Sequence, residues 1–257
     1  MLNPERVPNL ASYTDDRLLI PGDLTLHQYF LNIISTSPHL KNFSVKHRCP
    51  ESALTPHVVM HPGITRFSTS DGTFLRSLTL PGLTNMELGD RSMYLDIHEE
   101  ISSLYDLVVR SACNLSSLKL VLCSVSDNLI HILEASPDLT TLVLDFYITH
   151  TDDSVWAIAS LFDRLRSSEH VLVPRLQSLS LSLEVEDYID TDYGIFGPSF
   201  GHIIEDRWRN GTLRSITVAM YYNEEEFALS SDSRNKLMKL KDEGMNVKFR
   251  RSGKSLL

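Results

Sequence analysis

An α/β solenoid, in which a curved parallel sheet carries helices on its convex side, is predicted by two features of this 257-residue sequence. The first is a short apolar phrase that recurs along the chain. The second is an amphipathic helical pattern between its copies. The clearest copy, Leu115-Ser116-Ser117-Leu118-Lys119-Leu120-Val121-Leu122-Cys123-Ser124-Val125, fits the leucine-rich-repeat template L-x-x-L-x-L-x-x-N/C-x-L. Leu139-Thr140-Thr141-Leu142-Val143-Leu144, Leu176-Gln177-Ser178-Leu179-Ser180-Leu181 and Leu213-Arg214-Ser215-Ile216-Thr217-Val218 repeat its spacing. Weaker copies start at Leu40, Ile64, Leu83 and Met245, and the faintest starts at Leu10, with Tyr13 behind it. From Leu10 to Met245 the anchors recur roughly every 29 residues, at the top of the range for this repeat class.

Each copy reads as a strand because alternate residues of an extended chain share a face, so the leucines point one way. Such a strand needs a cover, and the following segment supplies a helix. Leu24 to Ser35 is the first, ending before Ser37-Pro38, and Ile101 to Ala112 is the next. Ser126-Asp127-Asn128 opens a helix whose apolar face is Leu129, Ile130, Ile132 and Leu133, stopped by Pro137. Asp152-Asp153-Ser154 opens another, with Val155, Ile158, Leu161, Phe162 and Leu165 along one stripe. Phe200 to Arg209, capped by Ser199, and Ser233 to Glu243, closed by Gly244, complete the set. No linker rich in Gly, Ser or Pro divides the chain, so residues 24–249 read as one solenoid. Residues 1–23 read as an irregular N-terminal segment and 250–257 as a basic tail. Met1 to Asp23 makes a poor cap, and a solenoid needs polar ends; the expectation is exposed apolar surface there.

Composition narrows the function classes. The 24 basic and 33 acidic residues give a net charge of −9, which disfavours a general nucleic-acid binder because phosphate contacts require an excess of Lys and Arg. No apolar run approaches the roughly 20 residues needed to span a bilayer, and the N-terminus lacks the pattern of a signal peptide. Three cysteines, Cys49, Cys113 and Cys123, are too few for a disulfide framework. The expectation is a cytoplasmic or nuclear protein without membrane contact.

Ser37-Pro38-His39-Leu40, Ser136-Pro137-Asp138-Leu139-Thr140-Thr141-Leu142, Val173-Pro174-Arg175-Leu176-Gln177-Ser178-Leu179, Leu213-Arg214-Ser215-Ile216 and the closing Leu240-Lys241-Asp242-Glu243-Gly244-Met245-Asn246-Val247 resemble the C-terminal leucine-rich region of fungal F-box proteins. The resemblance runs from about Leu24 to about Phe249 and rests on structural motifs. It implies a non-enzymatic module that holds a protein substrate for a cullin-based (SCF-type) ubiquitin ligase, with no cofactor. The family's helical F-box, which binds the ligase adaptor, is not matched by the N-terminal stretch with Pro4, Pro8 and Pro21. Adaptor binding is therefore expected only if an F-box precedes Met1; otherwise the chain is a stand-alone scaffold or regulator.

Local features yield candidate binding residues and no catalytic ones. The residues between the leucines line the expected concave floor: Lys41, Asn42, Ser44; Thr84, Asn85, Glu87; Ser116, Ser117, Lys119; Thr140, Thr141, Val143; Gln177, Ser178, Ser180; Arg214, Ser215, Thr217. This floor is small, polar and lightly charged, which suits distributed hydrogen bonding to a protein. Lys119, Thr141, Gln177, Ser180 and Arg214 are its candidate contacts. A second candidate is the insertion from Glu184 to Tyr193, whose Glu184, Glu186, Asp187, Tyr188, Asp190, Asp192 and Tyr193 form an acidic, aromatic loop for a basic partner; a solvated loop is the plain alternative. Lys248, Arg250, Arg251 and Lys254 read as exposed charge, with an acidic partner or RNA as the alternative. His47, Cys49, His57 and His61 are the densest group of potential zinc ligands, yet they lack a second Cys and Pro50, Pro56 and Pro62 oppose a helix, so no metal is expected. The glycines from Gly194 to Gly201 lack the Lys of a phosphate loop. Cys123 and Cys113 read as structural, and Trp208 as core.

Overall fold

The computed structural model describes residues 9–15, 24–46, 58–89, 98–123, 126–148, 152–166, 171–185, 196, 198–221, 230–251 and 254–255. The chain packs as two units, Met1–Val121 and Leu122–Leu257, and both are α/β with parallel strands. The first runs β1 (Ser12–Asp15), α1 (Leu24–Thr36), β2 (Asn42–Val45), β3 (Val59–Met60), β4 (Arg66–Thr69), α2 (Gly72–Leu75), β5 (Leu78–Thr79), β6 (Asn85–Leu88), α3 (His98–Ser111) and β7 (Ser117–Cys123) as far as Val121. Strands β1, β2, β4, β6 and β7 pair in that order, all parallel, while β3 and β5 form a separate parallel pair. The second runs α4 (Asp127–Glu134), β8 (Thr141–Ile148), α5 (Asp152–Arg166), β9 (Ser178–Val185), α6 (Pro198–Arg209), β10 (Ser215–Met220), α7 (Ser231–Asp242), β11 (Asn246–Arg251) and β12 (Lys254–Ser255). Here β8, β9, β10 and β11 are parallel neighbours and β12 returns antiparallel on β11. No helix among the described residues is long and apolar enough to cross a membrane.

The apolar phrase predicted from sequence is what the structure buries. Leu40, Ile64, Leu83, Leu115, Leu139, Leu176 and Leu213 are wholly inaccessible and Met245 nearly so. Two buried positions follow each anchor in register. The first aligns Phe43, Phe67, Met86 and Leu118 across the first unit and Leu142, Leu179, Ile216 and Val247 across the second. The second aligns Val45, Thr69, Leu88 and Leu120, then Leu144, Leu181, Val218 and Phe249. At about 2 kcal/mol or more per buried aliphatic side chain, these columns dominate the stabilisation of each sheet. At the β1–β4 end of the first unit the first column is aromatic. Tyr13 stacks on Phe43 at 5.4 Å and Phe43 on Phe67 at 5.5 Å, with Phe74 of α2 stacked against both phenylalanines.

Two boundaries need correction. Residues 1–23 are not uniformly irregular, because Ser12–Asp15 is a strand paired with β2, Tyr13 opposite Phe43. The copy is faint in sequence because Asp15 stands where a leucine is expected; it is buried, and the Tyr13 hydroxyl lies 3.4 Å from its Oδ2. The tail from residue 250 is not outside the sheet either, since Arg250 and Arg251 lie in β11 and Lys254–Ser255 forms β12. The expectation for an exposed apolar cap falls largely on residues 1–8 and 16–23, outside the described ones.

A backbone device links successive copies. The carbonyl just before one strand accepts two N–H groups from the entrance of the next: Ala11 from Lys41 and Asn42, Lys41 from Thr65 and Arg66, Thr65 from Thr84 and Asn85, and Thr84 from Ser116 and Ser117. In the second unit Thr140 accepts from Gln177 and Ser178, and Gln177 from Arg214 and Ser215. Hydroxyls reinforce it, with Thr65, Thr84 and Ser116 each donating to the carbonyl before the preceding strand. Strand entrances thereby lose no hydrogen bonding on leaving water.

Helices begin and stop on local chemistry. The Ser126 hydroxyl accepts from the Leu129 N–H at the start of α4, and Ser230 from Ser233 at the start of α7. Pro198, not a capping Ser199, heads α6, where the first turn needs no N–H from it. At the end of α7, Gly244 takes φ +100°, and Gly244 and Met245 donate to the carbonyls of Lys241 and Leu240, so the helix stop sets the next anchor. Two arginines then tie helices to the preceding copy. Arg110 of α3 donates to the carbonyls of Leu75 and Leu78, and buried Arg207 of α6 to those of Leu165, Leu172 and Val173. Burial pushes the Arg207 pKa below its ordinary value.

Candidate partner-binding surface

A parallel sheet is usually covered on both faces. These strands instead alternate buried and half-exposed, as in β2, β6 and β10. One face of each unit's sheet therefore offers side chains outward, in rows fixed by register. In the first unit one row is Asn42, Arg66, Asn85 and Ser117, and the next is Ser44, Ser68, Glu87 and Lys119. Lys119 donates to Glu87 at 2.6 Å across the β6–β7 pair, with both side chains nearly half exposed. A pair so exposed contributes at most about 1 kcal/mol, and its main effect is to cancel charge on that face.

The second unit carries three rows. They are Thr141, Ser178, Ser215 and Asn246; Val143, Ser180, Thr217 and Lys248; and Asp145, Ser182, Ala219 and Arg250. The hydroxyl residues are half-buried, Lys248 and Arg250 are exposed, and Asp145 is buried. Glu184 follows on β9, also half-buried.

Of the candidates read from sequence, Lys119, Thr141, Ser180 and Glu184 fall on strands at outward positions. Gln177 and Arg214 are exposed but stand one residue ahead of β9 and β10, as do Lys41, Thr84, Ser116 and Thr140 ahead of their strands. The carbonyls of Lys41, Thr84, Thr140, Gln177 and Arg214 belong to the entrance ladder, so these residues, like Ser116, flank the sheet face instead of lining it. Glu186, Asp187, Tyr188, Asp190, Asp192 and Tyr193 lie outside the described residues. Sequence reading missed Arg66, Ser68, Asp145, Ser182 and Asn246. The signal was available for Ser182, because the Ser-Leu alternation of β9 continues past the six-residue template.

Of the remaining candidates, His61, Cys113 and Trp208 have structural partners or surroundings. His61 is buried; its Nε2 lies 2.9 Å from the Ser37 carbonyl and its Nδ1 accepts from the Ile64 N–H. Both ring nitrogens are thus committed to joining two repeats. His47, Cys49 and His57 lie outside the described residues, and no cluster of three metal-ligating side chains occurs among the described ones. Burial pushes the Cys113 thiol up to about 11, so it stays protonated at neutral pH. Trp208 departs from the core assignment. It is half-buried, beside the Glu243 carboxylate, which Arg209 holds below the usual carboxylate range.

No protein-family model matches the chain, and no curated protein matches it significantly.

Proposed function

We propose that the chain is a leucine-rich-repeat solenoid and a non-enzymatic protein-binding module. It takes its partner on the outward face of the parallel sheet. The observation that carries this reading is the open face itself: rows of hydroxyls and amides, held in register by buried anchors, at positions where parallel sheets are ordinarily covered. Such rows provide many weak, distributed hydrogen bonds, the chemistry of a protein interface. The resemblance to the repeat region of fungal F-box proteins supplies the role: holding a substrate for ubiquitination.

Blocking the face tests this. Ser180→Trp together with Thr217→Trp places bulk on adjacent strands of the face, whereas Arg234→Trp places it on an exposed position of α7. In affinity purification of the full-length product from its own cells, a specific partner is expected with the parent and the helix variant and lost with the face variant. Retention of every partner by the face variant contradicts the reading. Co-purification of the ligase adaptor and ubiquitinated partner supports the ligase role; a partner without them leaves a scaffold or regulator.

A further inference from the structure

The outward rows of the second unit are polar in a second sense: their charge is unequally placed. Lys248 and Arg250 project from one strand two residues apart, about 6.7 Å along it; Lys248 ends the second row, and in the third Arg250 stands between Ala219 and Ser255 of β12. Among the described residues neither enters an ion pair, as is also true of Arg214 at the entrance to the neighbouring strand. In a chain of net charge −9, two exposed cations beside a field of hydroxyls are a local reversal of sign. The partly exposed acid described on this face is Glu184, on β9; Asp145 of β8 is buried.

We propose that the β8–β11 face binds an extended peptide whose acidic residues lie over Lys248 and Arg250. This deepens the function proposed above and rests on it. Four strands at about 4.8 Å span about 14 Å, the length of four or five extended residues. Thr141, Ser178, Ser215, Ser180 and Thr217 offer both donors and acceptors to the peptide backbone along that path. Carboxylates at the β11 side then meet the two cations, and half-buried Glu184 on β9 disfavours the reverse orientation.

The test uses the full chain and a fluorescein-labelled peptide of four glutamates flanked by Ser-Gly, with glutamine and lysine counterparts, read by anisotropy. Lys248→Glu with Arg250→Glu is compared with Lys239→Glu with Lys241→Glu on α7, which makes the same change in net charge at exposed positions off the face. The expected result is that only the glutamate peptide binds, that the β11 reversal weakens it about tenfold or more while the helix reversal changes it less than about twofold, and that binding falls from ~50 to ~200 mM salt. Both variants should melt like the parent. No binding of the glutamate peptide, or equal loss with both reversals, overturns the proposal. So does tighter, Lys248-dependent binding of single-stranded RNA, which would assign the cations to phosphates. If the face-blocked variant loses its cellular partner while the glutamate peptide fails to bind, the acidic specificity falls and the protein-binding reading stands; if it loses none, that reading falls.

Discussion

Arg207→Ala is expected to destabilise the protein by about 3–5 kcal/mol, seen as a lower urea midpoint with an unchanged slope. Among the described residues the buried guanidinium bonds carbonyls alone: Leu165 through Nε at 3.0 Å and Nη2 at 2.9 Å, Leu172 through Nη2 at 2.6 Å, and Val173 through Nη1 at 3.1 Å. Removing it leaves these three acceptors without that donor set beside a cavity. Val173 adds to the cost, since it is a β-branched residue at φ +46° whose carbonyl Arg207 helps to fix. Arg207→Lys should recover little, because one ammonium cannot reproduce a planar fork spread over three carbonyls. Arg110→Ala, on a guanidinium that is more exposed, should cost about 1–2 kcal/mol. Trp156 and Trp208 both lie in the second unit, so tryptophan fluorescence reports the Arg207 transition locally. A loss under about 1 kcal/mol would show that water replaces the arginine without penalty.

Gly89→Ala is expected to cost about 3 kcal/mol or more, and Gly244→Ala only about 1–2. Both glycines hold φ +100°, so both substitutions carry the same penalty for an L side chain in the left-handed region. They differ in space. A Cβ on Gly89 falls 2.3 Å from the Val121 carbonyl oxygen, whereas one on Gly244 meets nothing within 4 Å. The Gly89 backbone cannot retreat cheaply, because its N–H donates to the Thr69 carbonyl at 3.0 Å. Thermal melts of the two variants isolate the clash. Equal shifts would mean that the end of β6 moves freely to accept the methyl.

Much of the architecture was legible because it rests on local rules. Leucines at fixed spacing reveal the anchors, and Ser126 and Gly244 mark helix ends through contacts within a few residues. What escaped depends on distance. Nothing near Arg207 announces three carbonyls some 34 to 42 residues away in the chain, so a helix arginine reads as solvated. The β1 strand was faint because Asp15 breaks the apolar pattern while Tyr13 pairs with Phe43 only in three dimensions. The outward face was half legible. Alternation places Ser180 and Thr141, but the step from the strand entrance to the strand decides that Gln177 and Arg214 flank the face, and that step is a matter of backbone hydrogen bonding. Lys248 and Arg250 read as tail charge because the last repeat continues farther than its template.

The central claim is that the partner sits on the outward sheet face. A photo-crosslinking amino acid placed at Ser180, and separately at exposed Met238 on α7, measures this directly in the cell that makes the protein. The account predicts a discrete crosslinked polypeptide from Ser180, the same one retained in affinity purification, and none from Met238. Crosslinking of that polypeptide from Met238 but not from Ser180 would place the partner on the helices and contradict it.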